Sequence, residues 1–209
     1  MEKPQFYDEV QANTGDFVTL QPGAYVCEIK NAVFAKAEKT KNDMLVLLLD
    51  IAEGEYKGYF QKRFDGDTRV DRKWGCVLRI IVDDPSKNDE ERKKIVARLK
   101  GAISSIELSN PNFAFDWAKP ETAKGKLIGA TFGLEEYVAQ DGKTKTIAKV
   151  RAARSVEGVR SGKCQMPQVK LLDGKGYMDY DEYLDKKFDE ANDTESDFVT
   201  VADKDDLPF

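Results

Sequence analysis

The sequence predicts a mainly β fold: a five-stranded barrel with one helix between strands three and four, followed by an acidic C-terminal tail. Three observations predict it. Short apolar or alternating runs, separated by turn residues, recur from residue 21 to residue 156. One stretch, 88–107, combines a helical period with a start signal. Charge is segregated: residues 179–209 hold 12 acids and three bases, a net of −9, whereas residues 1–178 hold 30 bases and 26 acids, a net of +4. A mildly basic body with a strongly acidic end is a pattern of nucleic-acid binders with an interaction tail, and a solvated segment can produce the same pattern.

Residues 1–20 are polar without a sustained period and read as a loose leader. Pro22 and Gly23 punctuate the chain, and the stretch Ala24 to Phe34 alternates, with Tyr25, Cys27, Ile29 and Val33 on one side and Glu28, Lys30 and Phe34 on the other. After the polar turn 39–43, Met44 to Ile51 is apolar on both faces and too short for an ordinary helix, as in a doubly buried central strand. Glycines 54 and 58 frame a tight connection into a third strand, Tyr59 to Phe64, where aromatics and bases interleave. The apolar run Trp74 to Val82 ends at Asp83, Asp84 and Pro85.

Asn88, with Glu91 three positions on, is an N-cap signature, and Asp89, Glu90 and Glu91 favour the positive end of a helix dipole. Ile95, Leu99, Ala102, Ile103 and Ile106 follow at helical spacing. The bases Arg92, Lys93, Lys94, Arg98 and Lys100 fall on other faces and read as a wet surface. A loop with Phe113, Phe115 and Trp117 leads to a strand over Leu127 to Val138. Asp141 and Gly142 then signal a hairpin into Lys145 to Val156. Three strands, a helix and a hairpin is the order of an OB-fold, a partly open barrel that binds oligonucleotides on strands two and three and in adjacent loops. The resulting division is a leader over 1–20, an OB-fold DNA-binding domain over 21–170, and a flexible acidic partner-binding tail over 171–209.

The 209 residues contain no histidine, which excludes histidine-based triads, general bases and metal ligands. Cys27, Cys76 and Cys164 are scattered and odd in number, which argues against a disulfide framework and a structural zinc site. No run approaches the ~18 apolar residues of a membrane span, and the start MEKPQFYDEV lacks the order of a secretion signal. The expectation is a cytoplasmic chain with no cofactor, no metal and no membrane partner.

Binding a single strand needs cations along the phosphates and flat side chains on which bases stack at ~1–3 kcal/mol each. Tyr56, Tyr59, Phe60, Lys62 and Arg63 supply both, Arg72, Lys73 and Trp74 repeat the mix, and Lys30 and Phe34 share the polar side of the first strand. Lys143, Lys145, Lys149 and Arg151 form a basic stripe on the last strand opposite Ala148, Val150 and Ala152. The same aromatics would serve equally as core residues, and the stripe as a lysine-protected edge. The competing enzyme reading, a Mg-dependent nuclease, would have to draw on Asp116, Glu135, Glu136 and Asp141, but Glu135 and Glu136 are adjacent on a strand and point to opposite faces. A protein-only adaptor acting through the tail is the third alternative.

The stretch Asp203 to Phe209, with Asp205, Asp206, Leu207, Pro208 and Phe209 in series, resembles the acidic tip of bacterial and phage single-stranded DNA-binding proteins. Residues 54–60 and 129–137 also look like prophage-encoded members of that group, a resemblance spanning roughly 20–170. It implies an OB-fold, sequence-tolerant single-strand binding in DNA replication or recombination, no catalytic residue, and recruitment of replication or recombination proteins by the tip. In that tip a Phe fills an apolar pocket while Asp203, Asp205 and Asp206 meet a basic rim. The body lacks the pattern of the tetrameric bacterial housekeeping protein, so a homo-oligomer stays open.

Overall fold

The computed structural model describes residues 3, 7 and 18–196, the side chains of 173 and 190–196 excepted. It is mainly β. Strands β1 (Gly23–Lys36) and β2 (Asp43–Ile51) pair antiparallel, and β2 pairs with β3 (Val77–Ile81). The first half of β1 pairs with β4 (Leu127–Val138), which forms a hairpin with β5 (Thr144–Arg154). A short parallel strand β6 (Val169–Lys170) joins β4 at Glu135 and carries β7 (Tyr177–Met178). Because β5 runs along one edge of β4 from Gly129 to Val138, β1 and β6 share the other edge. The result is one mixed seven-stranded sheet. It is not closed: β3 and β5 approach each other without a ladder between them.

Among the described residues four α-helices accompany the sheet: α1 (Tyr59–Asp65), α2 (Asp89–Ser109), α3 (Val156–Arg160) and α4 (Tyr180–Ser196). Helix α2 follows its sequence signals closely, with the Asn88 side chain accepting from the Glu91 backbone N–H at 2.9 Å. Its buried side is Leu99, Ala102, Ile103 and Ile106, of which Leu99, Ile103 and Ile106 join Leu45, Leu47, Leu49, Ile29, Ile128 and Phe132 in one core. Leu20, within the span read as a leader, is also in that core. The rest of 1–17, apart from residues 3 and 7, lies outside the described residues.

The expected third strand, Tyr59 to Phe64, is helix α1, and the third strand is β3. Ten residues before Phe60, the buried Asp50 carboxylate accepts both the Phe60 and Ile51 backbone N–H groups at 2.9 Å, giving α1 a cap from outside its own segment. Gly58, at φ 73, supplies the left-handed entry that a side chain would disfavour. Residues 59–65 then pair at helical spacing: Arg63 donates to the Tyr59 hydroxyl at 2.9 Å and Gln61 donates to Asp65 at 3.0 Å.

Two β-bulges alter the expected faces. In β1 the register slips between Ile29 and Asn31, so beyond it Ala32 and Phe34 turn to the core while Val33 is exposed. Phe34 is therefore not on the polar side. In β5 the register slips at Arg151, which has no partner between Val150 and Ala152; Ala148 and Val150 face the core before it, and Ala153 faces the core after it. Gly129 on β4 lets α3 lie close, since a Cβ there would stand 2.6 Å from the Val159 side chain and 2.7 Å from the Ser155 carbonyl oxygen. Beyond β7 the chain forms α4, a helix that the composition of the tail does not announce. Its buried Tyr183 donates its hydroxyl to Glu136 at 3.1 Å. Among the described residues no helix is long and apolar enough to cross a membrane.

Candidate nucleic-acid interface

The segment 57–74 contains α1 and the loop into β3, and it contributes six bases against three acids. The internal face of α1 is fixed by Phe60, buried and stacked on Phe132 at 6.0 Å between ring centroids. That position removes Phe60 from the surface, so as a base-stacking candidate it is corrected to a core residue. Tyr56 is half-buried, edge-on to Tyr25 at 5.6 Å and to Tyr59 at 6.1 Å, and it too packs against the core. Burial pushes the neighbouring Tyr25 hydroxyl up to about 12, helped by the charges of Tyr56 and Glu55.

The outward side of α1 is different. Lys62, Arg63, Arg72 and Lys73 are exposed, and among the described residues none of them forms an ion pair. Arg63 stands 5.5 Å from the Tyr59 ring centroid, and Arg72 stands 4.5 Å from that of Phe64. A guanidinium over a ring keeps its charge while the ring limits its excursions, so both cations are presented in place. Arg72 also donates to the backbone oxygens of Phe64 and Asp67, at 3.5 and 3.4 Å. The local acid Asp67 is occupied by Arg69 at 2.6 Å, and that hydrogen-bonded partner holds its carboxyl down at about 2. Trp74 is half-buried, its indole N–H donating to the Leu49 oxygen at 2.8 Å and its ring 5.4 Å from Phe64. It braces the loop beneath the cations.

The stripe on β5 is a region of paired charges. Lys145 bonds Asp141 at 2.9 Å, and Glu135 receives three cations: Lys149 at 3.3 Å, Arg151 at 3.4 Å and Lys170 at 3.1 Å. Burial alone would raise the Glu135 carboxyl, but the ammonium groups of Lys170 and Lys149 outweigh it and hold it below its ordinary value. Arg151 also donates to the Leu134 oxygen at 3.1 Å. Lys143 sits exposed in the hairpin turn. On β1, Lys30 is half-buried beside Glu28 at 3.4 Å.

The carboxylates of the nuclease alternative are each engaged separately. Glu136, on the other face from Glu135, accepts from the Leu172 N–H and the Tyr183 hydroxyl, and Asp116 accepts from the Ala118 N–H. Among the described residues no three Asp, Glu or Cys side chains form a group able to hold a metal ion. The tip residues Asp203, Asp205, Asp206, Leu207, Pro208 and Phe209 lie outside the described residues.

Sequence reasoning missed Phe64 as the ring under Arg72, Glu135 as the hub of the stripe, and Lys170 as its third cation. None has a local signal: Lys170 is 35 residues from Glu135 and meets it only through the parallel β4–β6 pair. No family model matches the chain, and no curated protein is similar to it in sequence.

Proposed function

We propose that the chain is a non-enzymatic, sequence-tolerant single-stranded DNA-binding protein of phage or prophage replication or recombination. The observation that carries this reading is the outward side of 57–74, where unpaired Lys62, Arg63, Arg72 and Lys73 stand beside aromatic rings, two of the cations directly over them. That is the combination a single strand requires, charge along the backbone with planar groups beside it. The path β3-β2-β1-β4-β5, with α2 between β3 and β4, supports the finer reading of the sheet as an OB-fold opened between β3 and β5. In that reading the loops 37–42 and 139–143 flank the binding face and add Lys39, Lys41 and Lys143 to it. The resemblance of 203–209 to the acidic tip of single-strand binders supports a partner-recruiting role for those residues. A nuclease reading draws no comparable support, since its carboxylates are taken by lysines, arginine and backbone N–H groups.

Titration of fluorescent oligo-dT against matched duplex, at two salt concentrations and with and without Mg, tests the proposal. Preference for the single strand, with log affinity falling by about 0.7 per log salt for each phosphate neutralised, is the expected result. Equal binding to duplex, or binding indifferent to salt, overturns it, and DNA cleavage dependent on Mg and Glu135 would restore the enzyme reading.

A further inference from the structure

Trp117 lies in the loop between α2 and β4 and is 55% exposed, a large apolar ring left in water. It is nevertheless held. Its indole stacks on Phe34 with centroids 5.9 Å apart and planes 9° from parallel, and the buried Phe115 stands edge-on to both rings, at 5.8 and 6.4 Å. The other exposed rings of the described residues, Tyr7, Tyr137, Tyr177 and Phe188, have no ring partner among those residues. The β1 bulge creates this platform by turning Phe34 inward beneath the indole.

Position adds a second argument. Phe34 is two residues from the end of β1, and Lys36 faces Asp43 there at the mouth of the loop 37–42. Lys39 and Lys41 of that loop and Lys119 of the Trp117 loop are exposed, and none forms an ion pair among the described residues. A braced planar ring, with ammonium groups that form no ion pair on its own loop and on the loop 37–42 that follows Phe34 and β1, repeats the chemistry of 57–74. It does so at the opposite end of β2, whose nine residues span roughly 30 Å.

We propose that Trp117 is a second base-stacking site, taking a nucleobase of the same single strand whose phosphates run over Lys62, Arg63, Arg72 and Lys73. This rests on the single-strand reading above. Stacking on an immobilised indole loses little conformational freedom on binding, because Phe34 and Phe115 already fix the ring. It releases no counterion, so it adds affinity without adding salt dependence.

The chain has two tryptophans, so 15N-indole labelling of the full chain gives two side-chain N–H resonances, and Trp117→Phe identifies the one from Trp117. Unlabelled oligo-dT of 16 nucleotides is titrated in, with affinities of wild type, Trp117→Ala and Trp117→Phe read in parallel by fluorescence anisotropy. The expected result is a shift of the Trp117 resonance on binding. Trp117→Ala should weaken affinity about fivefold or more at unchanged salt slope, and Trp117→Phe should retain most of it. If wild type binds the oligonucleotide while the Trp117 resonance stays put and both variants bind equally well, the stacking site is refuted and the single-strand reading stands. If wild type binds no single strand, both fall. Should Trp117→Ala fail to fold, the resonance shift decides.

Discussion

Two basic regions of this molecule look alike in sequence and differ in what their charges face. Residues 57–74 carry six bases and three acids, and residues 135–151 carry four bases and three acids. In the first, Arg63 and Arg72 lie over aromatic rings and, with Lys62 and Lys73, form no ion pair among the described residues; Asp67, which the charge of Arg72 also reaches, is held by Arg69. In the second, Lys145, Lys149 and Arg151 are each paired, and Glu135 alone draws in three cations. A cation already paired must exchange one anion for another when phosphate arrives, whereas one over a ring with no ion-pair partner gives up counterions without displacing a carboxylate. The lesson is that cross-strand carboxylates, which a base count does not register, decide which basic stripe is available to an anion.

Breaking the comparison where the effect is largest means removing the unpaired set. Lys62→Ala, Arg63→Ala, Arg72→Ala and Lys73→Ala combined should weaken oligo-dT binding about 100-fold or more in 0.1 M salt, with the far-ultraviolet circular dichroism unchanged, since these side chains are exposed. Asp50→Ala attacks the same region from beneath. It removes the acceptor for the Phe60 and Ile51 N–H groups and should lower unfolding free energy by about 1–3 kcal/mol in urea, with single-strand affinity falling as α1 loses its anchor.

Glu135→Gln works in the opposite direction by converting the paired region toward the unpaired kind. It should tighten oligo-dT binding about threefold and steepen the salt dependence by about 0.7 for each cation that then reaches a phosphate. Acid should mimic the substitution. The Glu135 carboxyl is held below its ordinary value, so its stabilising pairs are complete above about pH 4.5 and are lost as pH falls through the lowered folded value. The smallest change is expected from Lys149→Ala, less than about threefold in affinity, because the lysine it removes is already paired.

Much of the framework was legible because its signals are local. The alternation of β1, the apolar run of β2, the Asn88 cap and the Asp141–Gly142 turn each lie within the element they announce. Helix α1 was not legible. The carboxylate that starts it, Asp50, belongs to the preceding strand, and interleaved aromatics and bases suit a strand as well as a short helix. Phe34 departs from the face that simple alternation predicts for a different reason: a bulge adds one residue to a strand and exchanges its faces, and nothing in Ile29, Lys30 or Asn31 signals it. At the candidate interface the sequence shows where the cations lie along the chain but not their pairing, because Glu135 meets Lys170 through long-range strand pairing and Arg72 meets Phe64 through the fold of a loop.

The difference between the two regions is tested most directly by salt dependence. Oligo-dT affinity is measured from 50 to 400 mM salt for wild type, for the fourfold variant at 62, 63, 72 and 73, and for a fourfold alanine variant at 143, 145, 149 and 151. The first variant should lose about 2.8 from the slope of log affinity against log salt, the second less than about 1. Equal losses, or a larger loss from the β5 variant, would contradict the claim that the cations of 57–74, which form no ion pair, carry the binding.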